Sequence, residues 1–208
     1  FILGAVSVTA FVGLLPAVAE DEHTLGATAA CSGHTLVTFN NVPACVDANG
    51  DLHICGNNFP DDNFRNYVSN KRFDRNDNGY FSVYESEAIK TIGCPVSKIT
   101  SLNGIEFFCN ISYLDCVSNQ LTTLDISKNT ALSHLNCTGN KLTTLDVSNN
   151  VEMTILECAN NKLSILNTKN NSKLTKLYCD DNELTALDVS NNTKLTSLVC
   201  YKNQLTTL

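Results

Sequence analysis

Cys116, Cys137, Cys158, Cys179 and Cys200 stand 21 residues apart. Set in register, the segments read ISYLDCVSNQLTTLDISKNTA, LSHLNCTGNKLTTLDVSNNVE, MTILECANNKLSILNTKNNSK, LTKLYCDDNELTALDVSNNTK and LTSLVCYKNQLTTL. The shared template is L-x-x-L-x-C-x-x-N-x-L-x-x-L-D-V-S-x-N-x-x. A weaker copy precedes them in Ile92-Gly93-Cys94, Ile99 and Leu102, with a 22-residue step to Cys116. Around each cysteine the side chains alternate, so Leu114 and Cys116 face inward while Tyr113 and Asp115 face outward. Leu121 and Leu124 then turn the chain about the same core. About six apolar side chains per coil cannot offset the entropy of ordering 21 residues. A lone coil therefore cannot fold, and stacked coils must share a core.

This period and pattern are the leucine-rich-repeat signature. The fold class expected is α+β: a short helical EF-hand-like cap, then a leucine-rich-repeat β-solenoid with a parallel concave sheet. Asn119, Asn140, Asn161, Asn182 and Asn203 follow each strand, where a buried Asn can bond backbone groups left unpaired by the bend. Asp125, Asp146 and Asp188, with Ser127, Ser148 and Ser190, sit where short side chains can cap free amides. The third copy has Asn167-Thr168-Lys169 instead, so its back turn is expected to be less regular. The ladder cysteines are read as small buried hydrophobes; disulfides along the ladder and metal ligation are the alternatives.

Residues 1–19, FILGAVSVTAFVGLLPAVA, carry no charge and end in an A-x-A site before Glu20, Asp21 and Glu22. They read as the apolar core and cleavage region of an export signal, with a membrane anchor as the alternative. No later stretch is apolar enough to span a membrane. The mature chain is thus expected outside the cytoplasm, secreted or on the cell surface. The chain starts at Phe1 and stops at Leu208 within the repeat pattern, so it reads as a fragment. Its formal net charge of −7 argues against nucleic-acid binding, which needs a basic patch.

Residues 74–85, DRNDNGYFSVYE, fit the calcium-loop pattern D-x-D/N-x-D/N-G-x5-E at every position. Asp74, Asn76 and Asn78 offer side-chain oxygens at alternating positions, Gly79 permits the sharp turn, and Tyr80 offers its carbonyl. Ser82 would act directly or through water, and Glu85 would close the shell with two oxygens. The cofactor expected is one Ca2+, bound weakly because only two ligands are carboxylates. Pro60, Phe64, Tyr67, Val68 and Phe73 suit a helix entering the loop, and Val83, Ala88, Ile89 and Ile92 one leaving it. Ser82 and Glu85 also match a capping box, which is compatible with the metal reading. The cap spans residues 57–92 and the repeats 93–208.

Residues 20–56 contain Cys31, His34, Cys45, His53 and Cys55. They could supply zinc ligands or a disulfide among Cys31, Cys45 and Cys55, with Cys109 as a further candidate. Leu36–Phe39 and Leu52–Ile54 read as short strands, and Asp47-Ala48-Asn49-Gly50 as a hairpin turn.

The order of export signal, FPDDNFRNYV, DRNDNGYFSVYE and repeats of the LDVSNNTKLTSLVCYKNQLTTL kind resembles the secreted or surface leucine-rich-repeat proteins of anaerobic gut-type bacteria. The cysteine-bearing repeat is similar to that of internalin-like adhesins. The resemblance covers about residues 57–208. It implies a cell-surface interaction protein, often anchored to the wall by sequence that would lie past Leu208, and it implies no particular ligand. The outward positions that would meet a protein or glycan on the concave face are Tyr113, Asp115, His134, Asn136, Glu157, Lys176, Tyr178 and Tyr201. Exposed aromatics make the best anchors. No G-x-S-x-G, H-E-x-x-H or phosphate loop is present, so the chain is not expected to be an enzyme. The readings carried forward are a surface adhesion or recognition protein and an accessory module of a larger secreted hydrolase or peptidase. A structural spacer is the third.

Overall fold

A computed structural model describes residues 35–39 and 42–207. The 1–19 segment, Cys31 and His34 lie outside the described residues. Two sheets follow one another along the chain. The first is antiparallel, in the order β1 (Thr35–Phe39), β2 (Val42–Val46), β3 (Leu52–His53) and β4 (Tyr80–Phe81). The second is parallel and runs from β5 (Thr91–Gly93) through β6 (Tyr113–Asp115), β7 (His134–Asn136), β8 (Ile155–Glu157) and β9 (Lys176–Tyr178) to β10 (Ser197–Val199). Helix α1 (Asp62–Val68) lies between β3 and β4 in sequence, and helix α2 (Val83–Ala88) between β4 and β5.

The parallel sheet holds the 21-residue register from β6 to β10, after a 22-residue step from β5 to β6. Leu114 pairs with Leu135, Leu156, Leu177 and Leu198 in turn. Leu114, Leu135, Leu156 and Leu177 are fully buried, as are Cys116, Cys137 and Cys158. One continuous core runs from Phe39 to Leu187. Adjacent coils are also laced by hydroxyls: Thr154 Oγ1 donates to Ser133 O at 2.9 Å and Thr175 Oγ1 to Thr154 O at 3.0 Å.

The asparagines do what their position suggests. Asn140 Nδ2 donates to Cys116 O of the previous coil and to Cys137 O of its own, at 3.1 and 3.0 Å. Its Oδ1 accepts from Leu121 N at 3.0 Å. The same pattern recurs at Asn161, Asn182 and Asn203. A second asparagine column stands on the back of the coils. Asn129, Asn150, Asn171 and Asn192 each donate to two carbonyls of the preceding coil. Their Oδ1 atoms differ. Those of Asn129, Asn150 and Asn171 are buried without a partner, whereas Asn192 Oδ1 accepts from Thr168 Oγ1 at 2.8 Å. Isoleucine or valine fills the Thr168 position in the neighbouring coils, as Ile126 and Val147 show.

The back turn of the third coil departs from expectation by being regular. Asn167 Oδ1 accepts from Lys169 N at 3.1 Å, as Asp125, Asp146 and Asp188 accept from Ser127 N, Ser148 N and Ser190 N at 2.9 Å. An amide oxygen serves this turn as well as a carboxylate. A further regularity has no consistent residue type. The position two after each ladder cysteine is left-handed in every coil: Val96, Ser118, Gly139, Asn160, Asp181 and Lys202 all have φ between 50° and 71°. Val96 is β-branched and 73% exposed, so no burial offsets the cost of this conformation.

The cap seals the first coil. Phe59 packs edge-on against Phe64, Phe81 and Phe107, with ring centroids 5.7–6.2 Å apart. Gly104 (φ +104°) is required beneath it, since a Cβ there would lie 2.4 Å from the Phe59 ring. Asp61 joins cap and solenoid. Its Oδ1 caps α1 through Phe64 N, and its Oδ2 accepts from Thr100 N, Thr100 Oγ1 and Ser101 N. Tyr67 Oη accepts from Gly93 N on edge strand β5, and Asn63 Nδ2 donates to Lys98 O. Phe73 lies beyond the end of α1, and α2 stops at Ala88, so Ile89 and Ile92 are not helical. Ile89 turns extended and Ile92 enters β5. Strand β2, unexpected from the sequence, completes the antiparallel sheet. Its turn to β3 is closed by Asp47 Oδ1, which accepts from Asn49 N and Asp51 N. No helix among the described residues is long and apolar enough to cross a membrane.

Two predictions follow from these contacts. Val147→Thr places a donor beside Asn171 Oδ1 and should raise stability by about 0.5–1.5 kcal/mol, while Thr168→Val should lower it by a similar amount; urea unfolding measures both. Burial opposes ionisation of Asp61, but hydrogen bonds from Thr100, Phe64 and Ser101 outweigh it and hold the carboxyl below its ordinary 3.8. The ionised form therefore contributes stability above that pH, which is lost as pH falls through the lowered value. Asp61→Asn should cost about 1–3 kcal/mol at pH 7, and its gap to the parent chain should shrink near pH 2.

Candidate functional site

The parallel sheet presents three rows of outward side chains. The first holds Tyr113, His134, Ile155, Lys176 and Ser197, and the second Asp115, Asn136, Glu157, Tyr178 and Val199, each row following the strand register. The third, just past the strands, runs from Val117 to Tyr201. Along the strands these side chains alternate with leucine and cysteine, buried in every coil but the last, because successive residues of a strand face opposite ways. The expected ligand-contacting residues all fall on this one surface. Lys176 is exposed and Tyr201 is 60% exposed; Tyr113, Asp115, His134, Asn136, Glu157 and Tyr178 are half-buried.

Three of them touch across three coils. The Tyr113 and His134 rings meet edge to face with centroids 4.7 Å apart. His134 Nε2 lies 3.3 Å from Glu157 Oε1, an ion pair when the imidazole is protonated. Burial, with the charges of Asp115 and Glu157, pushes the Tyr113 phenol above its ordinary value, so it stays a neutral donor at neutral pH. Ser197 Oγ meets Tyr178 Oη at 3.4 Å. Asp115 and Asn136 turn one oxygen back onto Val117 N and Thr138 N, at 3.1 Å each. Lys176 and Tyr201 stand apart from this chain of contacts. Tyr201 has Lys202 Nζ 6.0 Å from its ring centroid.

The back of the solenoid carries a groove that the sequence did not suggest. A cavity of about 860 Å³ is lined by Thr123, Asp125, Thr144, Asp146, Ile165 and Asn167 among others. Ile165, 75% exposed, stands where Thr123 and Thr144 stand in earlier coils. That substitution is the one signal of this groove in the sequence.

The loop at 74–85 sits between α1 and α2. Asp74 is buried, and its carboxylate accepts from Asn78 N at 3.2 Å and Gly79 N at 2.8 Å. Asn76 Oδ1 accepts from Asn78 N, and Asn78 Oδ1 from Tyr80 N. Glu85 reaches back to Arg75 N with Oε1 and to Ser82 N with Oε2. Ser82 and Glu85 also form the reciprocal capping box of α2.

In the amino-terminal sheet, Cys45 is disulfide-bonded and its partner lies outside the described residues. Cys55 is a free thiol. A zinc site on Cys31, His34, Cys45 and Cys55 is thereby corrected, since a disulfide sulfur offers no thiolate. His53 stacks on Tyr80, with centroids 4.9 Å apart. Along the solenoid, Cys94, Cys116, Cys137, Cys158 and Cys179 are buried free thiols. Burial pushes the Cys94 and Cys179 thiols up to about 12 and those of Cys116, Cys137 and Cys158 well above the ordinary range. Ladder disulfides are set aside by these free sulfurs, which pack as small apolar groups.

Known proteins resemble the chain in this region. The LVIVD repeat family matches residues 179–202. Internalin J of Listeria monocytogenes is 40% identical over 72 residues, which are 35% of this chain and 8% of that protein. The structure of the functional domain of that organism's InlJ, which includes a cysteine ladder, aligns with a TM-score of 0.54 at 31% identity, covering 74% of this chain and 46% of that one. Another listerial internalin, inlF, aligns at 0.69 and 23% identity over 76% and 48%, showing the fold alone. A leucine-rich-repeat protein of Leptospira interrogans aligns at 0.56 and 24% identity over 61% and 34%. The chain thus spans less than half of each structure and a small part of internalin J.

Iodoacetamide labelling of the native chain at pH 8, read by peptide mass spectrometry, should modify the half-buried Cys55 and Cys200 first. Cys94, Cys116, Cys137, Cys158 and Cys179 should react only at the rate of unfolding, since a buried thiol holds almost no thiolate.

Proposed function

We propose that this internalin-like leucine-rich-repeat protein is a secreted or cell-surface binding protein that holds a protein ligand on its concave sheet. One observation carries the reading. Beneath the sheet the inward column repeats leucine and cysteine from coil to coil. Above it the outward column changes chemistry at every step, from Tyr113 to His134, Ile155, Lys176 and Ser197. A surface needing only solubility could repeat as the core does. A surface shaped to one partner needs a different group at each place.

The physical character of the face supports the same reading. Parallel strands on a solenoid give a rigid, extended platform. Tyr178 and Tyr201 bring large amphipathic rings with few torsions to freeze, which favours them as anchors. The Tyr113–His134–Glu157 contacts hold three polar side chains in fixed positions before any partner arrives, and preorganisation lowers the entropic cost of association. Binding rather than catalysis also agrees with the similar proteins, which are internalins and a leucine-rich-repeat protein.

The test is binding of the fluorescently labelled chain to arrayed proteins and glycans and to whole cells. The variant Tyr178→Ala/Tyr201→Ala should weaken binding by at least about tenfold, and Ile165→Ser on the back by less than about twofold. Loss from the back variant with none from the concave one would overturn the assignment. Binding confined to glycans would replace a protein ligand by a carbohydrate.

A further inference from the structure

We propose that residues 74–85 are a calcium site that fastens the cap to the solenoid. The donor set is mixed and made only of oxygen: the carboxylates of Asp74 and Glu85, the amide oxygens of Asn76 and Asn78, the Tyr80 carbonyl and the Ser82 hydroxyl. Hard cations are held by such sets, with no sulfur or imidazole among them. The fold gathers these groups although they are spread over twelve positions. Asp74, Asn76 and Asn78 all point side-chain oxygens at the short run of amides from Asn78 to Tyr80. Positive φ at Asp77 and Gly79 makes the bend that allows this. Glu85, from the first turn of α2, returns to Arg75 N at 3.2 Å and so brings the last carboxylate back to the start of the loop.

Two carboxylates balance the charge of one divalent ion. They are fewer than the tightest sites carry, which places the affinity in the range of about 0.1–1 mM found in extracellular modules. Several oxygens and a two-oxygen glutamate suit calcium, whereas magnesium demands a smaller, stricter octahedron. The location gives the ion a task. Residue Asp74 follows α1, Tyr80 and Phe81 form β4 against β3, and α2 leads within two residues to β5, the edge of the parallel sheet. An ion bridging Asp74 to Glu85 ties the end of α1 to the start of α2. It therefore fixes the segment from which the first coil departs.

The capping box lets the metal role be separated from the helix role. Glutamine keeps the box but cannot supply a two-oxygen carboxylate. The chain has no Trp, and Tyr80 lies in the loop, so terbium emission excited through tyrosine reports on this site. Terbium should give sensitised emission that calcium displaces. Thermal unfolding of the parent chain should rise by about 5 °C or more between EGTA and about 10 mM calcium, and less in magnesium. Glu85→Gln keeps one of the two acceptors, so it should unfold slightly below the parent in EGTA, while weakening calcium at least about tenfold and losing most of the rise. Equal midpoints for the parent in EGTA and calcium would overturn the proposal. So would a Glu85→Gln chain that keeps the full calcium response. Neither result bears on ligand binding at the concave face.

Discussion

Asn119, Asn140, Asn161, Asn182 and Asn203 each place one amide between two turns of the chain. The Nδ2 atom bonds a carbonyl of its own coil and one of the coil before, and Oδ1 accepts a backbone N–H where the strand bends away. These side chains are almost wholly buried as far as Asn182, where an unmet polar group would cost about 1–3 kcal/mol. Each asparagine is therefore acceptable only when its neighbouring coil is present. Leucine and cysteine supply the driving force for stacking. The asparagine sets the register of stacking, because a slip of one residue would leave both its donor and its acceptor unmet.

Such a stack has an open beginning, with a bare strand edge and an uncovered core. The cap answers both with different chemistry. Seven phenylalanines from Phe39 to Phe108 close the core, and polar side chains of α1 meet the edge. Asp61 is the hinge of this arrangement, since one carboxylate both starts α1 and takes three donors from Thr100 and Ser101. Edge strands left unpaired invite pairing with other chains, and Tyr67, bonded to Gly93 N, occupies that edge.

The solenoid was legible because its period repeats five times, so the burial of Leu114 or Cys137 could be read from any coil. Other features escaped for physical reasons. The left-handed column after the cysteines is imposed by the path of the coil rather than by residue preference, which is why Val96 and Lys202 adopt it. Strand β2 was hidden by Pro43, a residue that usually argues against a strand interior. The third back turn seemed irregular in sequence because Asn167 and Thr168 differ from Asp and Val. In space Asn167 makes the same bond, and Thr168 adds one that other coils lack. On the outward face of the parallel sheet the register alone brings Tyr113, His134 and Glu157 near one another. Their actual contacts depend on side-chain rotamers that no pattern of letters records.

Because the inter-coil bonds of the regular repeats join residues about one period apart, between 19 and 24, all of them refer to the neighbouring coil and none to the ends of the stack. A whole coil can then be duplicated or deleted in the gene without disturbing any remaining bond. Each such event lengthens or shortens the face by one strand spacing, about 4.8 Å. The molecule is in this sense a ruler, adjustable in fixed increments, whose graduations can be re-lettered one outward residue at a time while the scale beneath them stays the same.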